Sequence, residues 1–115
     1  MIKNSIVLVS FPFDDFSTTK VRPALCLTNE ISQYNHVIIA FISSKIPEDL
    51  VDSDLLIRHG SDEWKGTGLN VDSVVRLHKM VTIPKPLIKR KLGFISSSVI
   101  SKVHRNIQKI FELKS

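Results

Sequence analysis

Arg76 and His78 stand two residues apart in the run Val71 to Ile83, a β-branched-rich stretch that reads as a strand. Alternate residues of a strand share a face, so Asp72, Arg76 and His78 fall together, opposite a mostly apolar face of Val71, Ser73, Val75, Leu77 and Val81. Two strand rises separate Arg76 from His78 by about 7 Å, a spacing at which both reach one phosphate. An always-charged donor fork beside a group that exchanges a proton near neutral pH suits phosphodiester chemistry. The same parity also describes the solvent side of a half-exposed strand.

Other positions carry reactive or anion-binding side chains. Arg22 directly precedes Pro23, which biases it toward extended backbone and removes the next N–H. An arginine at such a loop-to-strand point binds an anion or pairs with a carboxylate. Ser43 and Ser44 close the most apolar run, where a hydroxyl serves as a strand-end hydrogen bonder or as a donor to a ligand. No Gly-x-Ser-x-Gly elbow and no Ser-His-Asp ordering supports a serine nucleophile. His36, His59 and His104 lack ligand spacing and the acidic residues form no metal-like cluster, so no metal is expected. Gly66-Thr67-Gly68 fits neither a Walker loop nor a dinucleotide fingerprint, and no cofactor is expected. Cys26 lies in an apolar run and reads as a small buried hydrophobe.

The elements that must position these residues are short. Ile6 to Phe11 reads as a strand closed by Pro12, and Asp14 to Lys20 as a polar loop. Pro23 to Thr28 and His36 to Ser43 are buried-strand patterns, and Ser53 to Arg58 is a shorter one. The stretch His59 to Asn70 holds three of the four glycines, and Pro84-Lys85-Pro86 stops the long strand that follows it. Leu87 to Leu92 reads as a strand or a short helix, punctuated by Gly93. Val99, Ile100, Val103, Ile107, Ile110 and Phe111 recur at helical spacing behind the capping hydroxyls of Ser96, Ser97 and Ser98. The pattern predicts a mainly β fold, a small curved antiparallel sheet or barrel with a C-terminal helix packed against it.

The 115 residues suit one domain. The single cysteine points to a reducing cytoplasm, and no apolar run approaches the roughly 20 residues of a membrane span. The start of the chain runs into a strand-like segment without a signal-peptide core, so secretion is not expected. The net charge of +5 is unevenly spread. Residues 1–57 hold four Lys/Arg against seven Asp/Glu and residues 58–115 twelve against four, giving −3 and +8. Such a basic half suits an acidic partner, nucleic acid or an acidic protein segment, or a merely solvated face.

Ile6 to Asp15, Lys20-Val21-Arg22-Pro23-Ala24-Leu25 and Val37 to Lys45 resemble, in order, the opening blocks of the MazF/PemK family of bacterial type II toxin-antitoxin toxins. Gly68 to Lys79, Thr82 to Lys85, Ile88 to Gly93 and the closing helix continue the resemblance over essentially the whole chain. The chain departs from the family pattern at Asn4-Ser5, where members commonly carry Gly-Asp, and at His78, where some carry an aspartate.

The resemblance implies one toxin domain over residues 1–115, an SH3-like antiparallel β-barrel over about 5–92 and a helix over about 97–113. It further implies a homodimer and a metal-independent endoribonuclease that cuts single-stranded RNA at short signals, restrained by an acidic antitoxin of the MazE type. The family's catalytic arginine falls on Arg22, its strand-end hydroxyl on Ser43 and a further arginine on Arg76. Metal-free cleavage uses the RNA's own 2′-hydroxyl and needs a base, an acid and positive charge at the phosphorane. Charge stabilisation is assigned to Arg22 and Arg76, a hydroxyl contact to Ser43 and proton transfer to His78, because a guanidinium stays charged and does not exchange its proton in the working range. Lys20, Lys45, Ser73, Lys79 and Lys85 are expected to contact RNA. Two other readings remain open. One is a non-cleaving nucleic-acid binder using Lys79, Lys85, Lys89, Arg90 and Lys91 with Trp64 or Tyr34 as stacking groups. The other is a protein-targeted toxin, as gyrase poisons of similar fold are.

Overall fold

The computed structural model describes residues 1–11 and 20–113. In chain order it contains β1 (Ser5–Phe11), β2 (Lys20–Cys26), β3 (His36–Ser43), β4 (Asp54–Ile57) and β5 (Ser73–Pro84). A 3-10 turn (Lys85–Leu87), β6 (Ile88–Phe94) and α1 (Ser97–Ile110) follow. All strands pair antiparallel in one sheet ordered β4-β5-β3-β2-β1-β6. The mainly β fold with a C-terminal helix is the one the sequence predicts. Among the described residues no hydrogen-bonded ladder closes the sheet into a barrel: β4 and β6 are its two edges.

β3 has the predicted bounds, and the ambiguous stretch after Pro86 is a strand with Gly93 inside it. β2 begins at Lys20 rather than Pro23, so Arg22 is a strand residue opposite Val9 of β1. The polar stretch Asp14 to Thr19, together with Pro12, lies outside the described residues.

Alternating residues feed two apolar clusters on opposite faces. Ile6, Leu25, Ala40, Ile42, Leu55, Val75 and Leu77 form one with Val99 and Val103 of α1. Val7, Val9, Ala24, Cys26, Val37, Ile39 and Ile83 form the other. α1 starts where Ser96 Oγ accepts from Val99 N, at 3.4 Å, and Asn106 Nδ2 donates to the Ser53 carbonyl at 3.3 Å. The helix therefore holds the residue that leads into β4. It ends at Ile110, short of residue 113, and Phe111 is exposed rather than on the packed face.

The largest departure from simple parity lies in β5. Ala40 pairs with Met80 but its neighbour Phe41 pairs with Arg76, so Leu77, His78 and Lys79 have no partner on β3. An odd number of extra residues swaps the faces beyond it. Val81, expected beside Val75 and Leu77, sits on the opposite face at 36% exposure, and Ile83 joins the second cluster.

Two glycines are dictated by backbone contact. Gly68 has φ +74° and a Cβ on it would collide with the Leu92 carbonyl, and one on Gly93 would collide with the Gly66 carbonyl. The Phe94 N–H donates to that same Gly66 oxygen at 2.8 Å, so the loop before β5 is laid against edge strand β6.

Cys26 is fully buried, and burial, with the charge of Glu30 second, pushes its thiol from about 9 up to about 11. A thiol reagent at pH 8 is expected to leave the folded chain unmodified and to react after unfolding in urea. The folded state keeps a proton that the unfolded state loses, so this thiol's contribution to stability falls as pH rises from about 9 to about 11. Urea midpoints of the parent and Cys26→Ala at pH 8 and above pH 10 check this, and equal pH dependence in both refutes it.

Candidate active site

Arg22 and Ser43 line the same two hollows where β2 and β3 part. The β2–β3 register pairs Ala24 with Phe41, which extrapolates to Arg22 opposite Ser43, yet pairing stops at Ala24. Pro23, which has no N–H to donate, sits at the break. Two hollows open there, and Arg22, Ile42 and Ser43 line both.

The first hollow, about 480 Å³, adds Phe41, Arg76, Lys79 and the apolar Val81, Ile83 and Leu87. Because the three unpaired residues of β5 change its sidedness, Arg76 before them and Val81 and Ile83 after them share this face. The second hollow, about 580 Å³, has an apolar floor that includes Leu8, Pro23, Leu69 and Leu92. Its polar lining includes Ser44, Lys45, Asn70, Ser73 and Arg90.

Arg76 is held by a carboxylate that the sequence reading did not single out. β4 pairs with β5 so that Asp54 is directly opposite Arg76. Arg76 Nε donates to Asp54 Oδ1 at 3.0 Å and Nη2 to Oδ2 at 3.2 Å. The Asp54 side chain is fully buried and also accepts from Val51 N at 3.0 Å. His78 Nδ1 lies 3.7 Å from Asp54 Oδ1. The anion that Arg76 and His78 both approach is thus a carboxylate of the chain itself. Two of the five guanidinium donors of Arg76 serve it, leaving three for a ligand. Asp54 opens the alternating run Asp54-Leu55-Leu56-Ile57, and its role depends on a pairing with β5 that local pattern does not reveal.

Of the remaining predicted residues, Lys79 lines the first hollow and Lys45 and Ser73 the second. Ser43 Oγ donates to the Lys45 carbonyl and accepts from Lys45 N, both at 3.1 Å, so its one proton serves a strand-end turn. Ser73 is buried and its hydroxyl donates to the Val71 carbonyl at 2.9 Å. Lys20, His78 and Lys85 line neither hollow. Lys20 stands opposite Phe11. Lys85 pairs with Glu30 at 2.6 Å, a hydrogen bond that holds the Glu30 carboxyl below its ordinary range.

Among the possible stacking groups, Trp64 packs against the first cluster and donates from Nε1 to the Leu69 carbonyl at 2.6 Å. Tyr34 is exposed and stacks on His36 with centroids 5.8 Å apart. Lys89, Arg90 and Lys91 are exposed on β6, and of the three only Arg90 reaches a hollow. Among the described residues there is no group of three or more His, Cys, Asp or Glu that could hold a metal ion. Among the described residues no helix is long and apolar enough to cross a membrane.

Residues 3–111 match the family model of the PemK-like, MazF-like toxin of type II toxin-antitoxin systems. The chain belongs to this family. Its fold is similar to that of the Mycobacterium tuberculosis toxin MazF-mt6, at 23% identity and a TM-score of 0.74, covering 96% of this chain and 99% of that one. It is also similar to an endoribonuclease from a mycobacterial species in complex with its cognate antitoxin, at 12% identity and a TM-score of 0.72, covering 100% and 98%. A third similar structure is MazE-MazF from Deinococcus radiodurans, at 14% identity and a TM-score of 0.70, covering 99% and 97%. No curated protein sequence matches the chain at a significant level.

For this family member the buried Asp54–Arg76 pair carries a stability consequence. Asp54→Ala strands a largely buried guanidinium and is expected to cost about 3–5 kcal/mol in urea unfolding. The double variant Asp54→Leu/Arg76→Met is expected to recover most of that loss. A single-variant loss under about 1 kcal/mol would remove the pair from its structural role.

Proposed function

We propose that this chain is the toxin of a type II toxin-antitoxin system and acts as an endoribonuclease on single-stranded RNA. In this reading cleavage is metal-independent and sequence-specific and stops translation and growth. The observation that carries the proposal is the meeting of Arg22 and Ser43 across the parted ends of β2 and β3, with Arg76 fixed by Asp54 on the same concave face. Family membership and similar structures described as an endoribonuclease, one with its cognate antitoxin, support it.

The reaction needs nothing the described side chains cannot offer in kind. The RNA 2′-oxygen attacks the adjacent phosphorus, its proton passes to a base, the P–O5′ bond breaks and the departing oxygen takes up a proton. Cyclic phosphate and 5′-hydroxyl ends result. Arg22 and the three spare donors of Arg76 offset charge on the phosphorane oxygens. Ser43 accepts a hydrogen bond as it stands, and it donates to the substrate only by releasing the Lys45 carbonyl. His78, which lines neither hollow but lies beside the carboxylate that holds Arg76, with Nδ1 3.7 Å from Asp54 Oδ1, is assigned the proton transfer. Lys45, Lys79 and Arg90 hold flanking phosphates.

The proposal extends to partners. An acidic antitoxin segment of the MazE type would compete with RNA for these cations, since carboxylates mimic phosphate oxygens toward arginine. The reading further takes the active form as a cytoplasmic homodimer.

Incubation of the purified chain with mixed single-stranded RNA in excess chelator is expected to yield 2′,3′-cyclic phosphate and 5′-hydroxyl ends. Arg22→Ala is expected to slow cleavage by about 10²–10³. Loss of cleavage on chelation overturns the metal-free reaction, and an unchanged rate in Arg22→Ala overturns the site. Intact RNA bound in a salt-sensitive manner instead supports a non-cleaving binder.

A separate pH–rate profile tests His78. The parent chain is expected to show a pH-dependent limb that disappears in His78→Asn. A titration that persists in the variant removes His78 from proton transfer.

A further inference from the structure

Asn70 is placed in its loop by everything around it and has no structural task of its own. Trp64 Nε1 donates to the Leu69 carbonyl at 2.6 Å, the buried Thr67 hydroxyl accepts from Leu69 N at 3.3 Å, and Gly68 is pressed against Leu92. These contacts fix the backbone that leads into the position. Asn is frequent in loops because it tolerates positive φ or caps a turn, but Asn70 is not among the positive-φ residues. Its side-chain amide has no hydrogen-bond partner among the described residues, and it is exposed at the lining of the second hollow.

That hollow has the character of a seat for a planar ring with a polar edge. Leu8, Pro23, Leu69 and Leu92 make an apolar floor, and the volume of about 580 Å³ lies within the range of small-ligand sites. Arg22 and Ser43 at one side are the residues shared with the first hollow, and Lys45 and Arg90 stand at its margin for phosphates. A side-chain amide offers one acceptor and two donors in a plane, the pattern that reads the edge of a base bidentately. Unstacked bases of single-stranded RNA expose these edges.

We propose that the second hollow holds the nucleobase next to the scissile phosphate and that Asn70 is the residue that discriminates among bases there. The proposal rests on the ribonuclease reading and adds to it which side chain sets part of the cleavage signal. Since the amide holds no other bond and its φ is ordinary, replacing it leaves the fold intact, which circular dichroism and urea unfolding verify.

The test is cleavage-site mapping on a random-sequence single-stranded RNA pool with the parent chain, Asn70→Ala and Asn70→Asp. Asn70→Ala is expected to flatten the preference at one position by about tenfold or more while the other positions keep theirs. In Asn70→Asp the carboxylate only accepts, so the preference at that same position is expected to move toward guanine, whose N1–H and N2–H are adjacent donors. Cleavage with unchanged base preferences in both variants overturns the proposal and leaves the ribonuclease reading standing. If the parent chain cuts no RNA, that reading fails instead. Binding of 2′-O-methyl oligonucleotides that differ at one base then decides the hollow's role, with base selectivity lost in Asn70→Ala supporting it and equal selectivity in both chains overturning it.

Discussion

Three residues of β5, Leu77 to Lys79, stand in the sheet without a partner on β3, and the sidedness of the working surface depends on them. Before this insertion Arg76 points to the same side as Phe41, and after it Val81 and Ile83 do. Without it, Val81 and Ile83 would share the face of Leu77 and the helix. The insertion also releases His78 and Lys79 from the ladder while Leu77 remains buried in the first cluster. One local irregularity thus supplies both the apolar wall and the polar end of the first hollow.

A second constraint acts through charge. Asp54 is fully buried and Arg76 largely so, and such a pair is tolerable only with both members present and well bonded. The side-on geometry fixes the guanidinium before any ligand arrives, and a preorganised donor needs no rearrangement when charge develops opposite it. The pair is nearly neutral as a unit. The positive charge of the concave face therefore rests on Lys45, Lys79 and Arg90 around the pair, which come from both the acidic and the basic halves of the chain.

Much of this was legible from residues alone where the information is local. The bounds of β3 follow from an uninterrupted apolar run, and the helix from a serine cap and three-four spacing. The Arg-Pro step singled out Arg22, strand parity Arg76 and the end of an apolar run Ser43, and the resemblance to the toxin family assigned roles to all three. Features that depend on pairing between distant segments were not visible. Asp54 acquires its role only because β4 lies beside β5, and Val81 changes face only because of three unpaired residues upstream. Lys85 reads as a phosphate contact in a basic run, yet it finds Glu30, a residue 55 positions away. Trp64 reads as a stacking group, yet its indole closes the loop that leads into β5.

The glycine contacts between that loop and β6 have a consequence for how the surface can diverge among relatives. Gly68 and Gly93 bring two backbones so close that neither accepts a side chain, and the loop's position is set by main-chain atoms that mutation cannot alter. Position 70 follows directly after this clamp and takes part in none of it. An exchange there changes what is offered to a neighbour without changing where it is offered. Scaffold and surface chemistry are thereby uncoupled at this position.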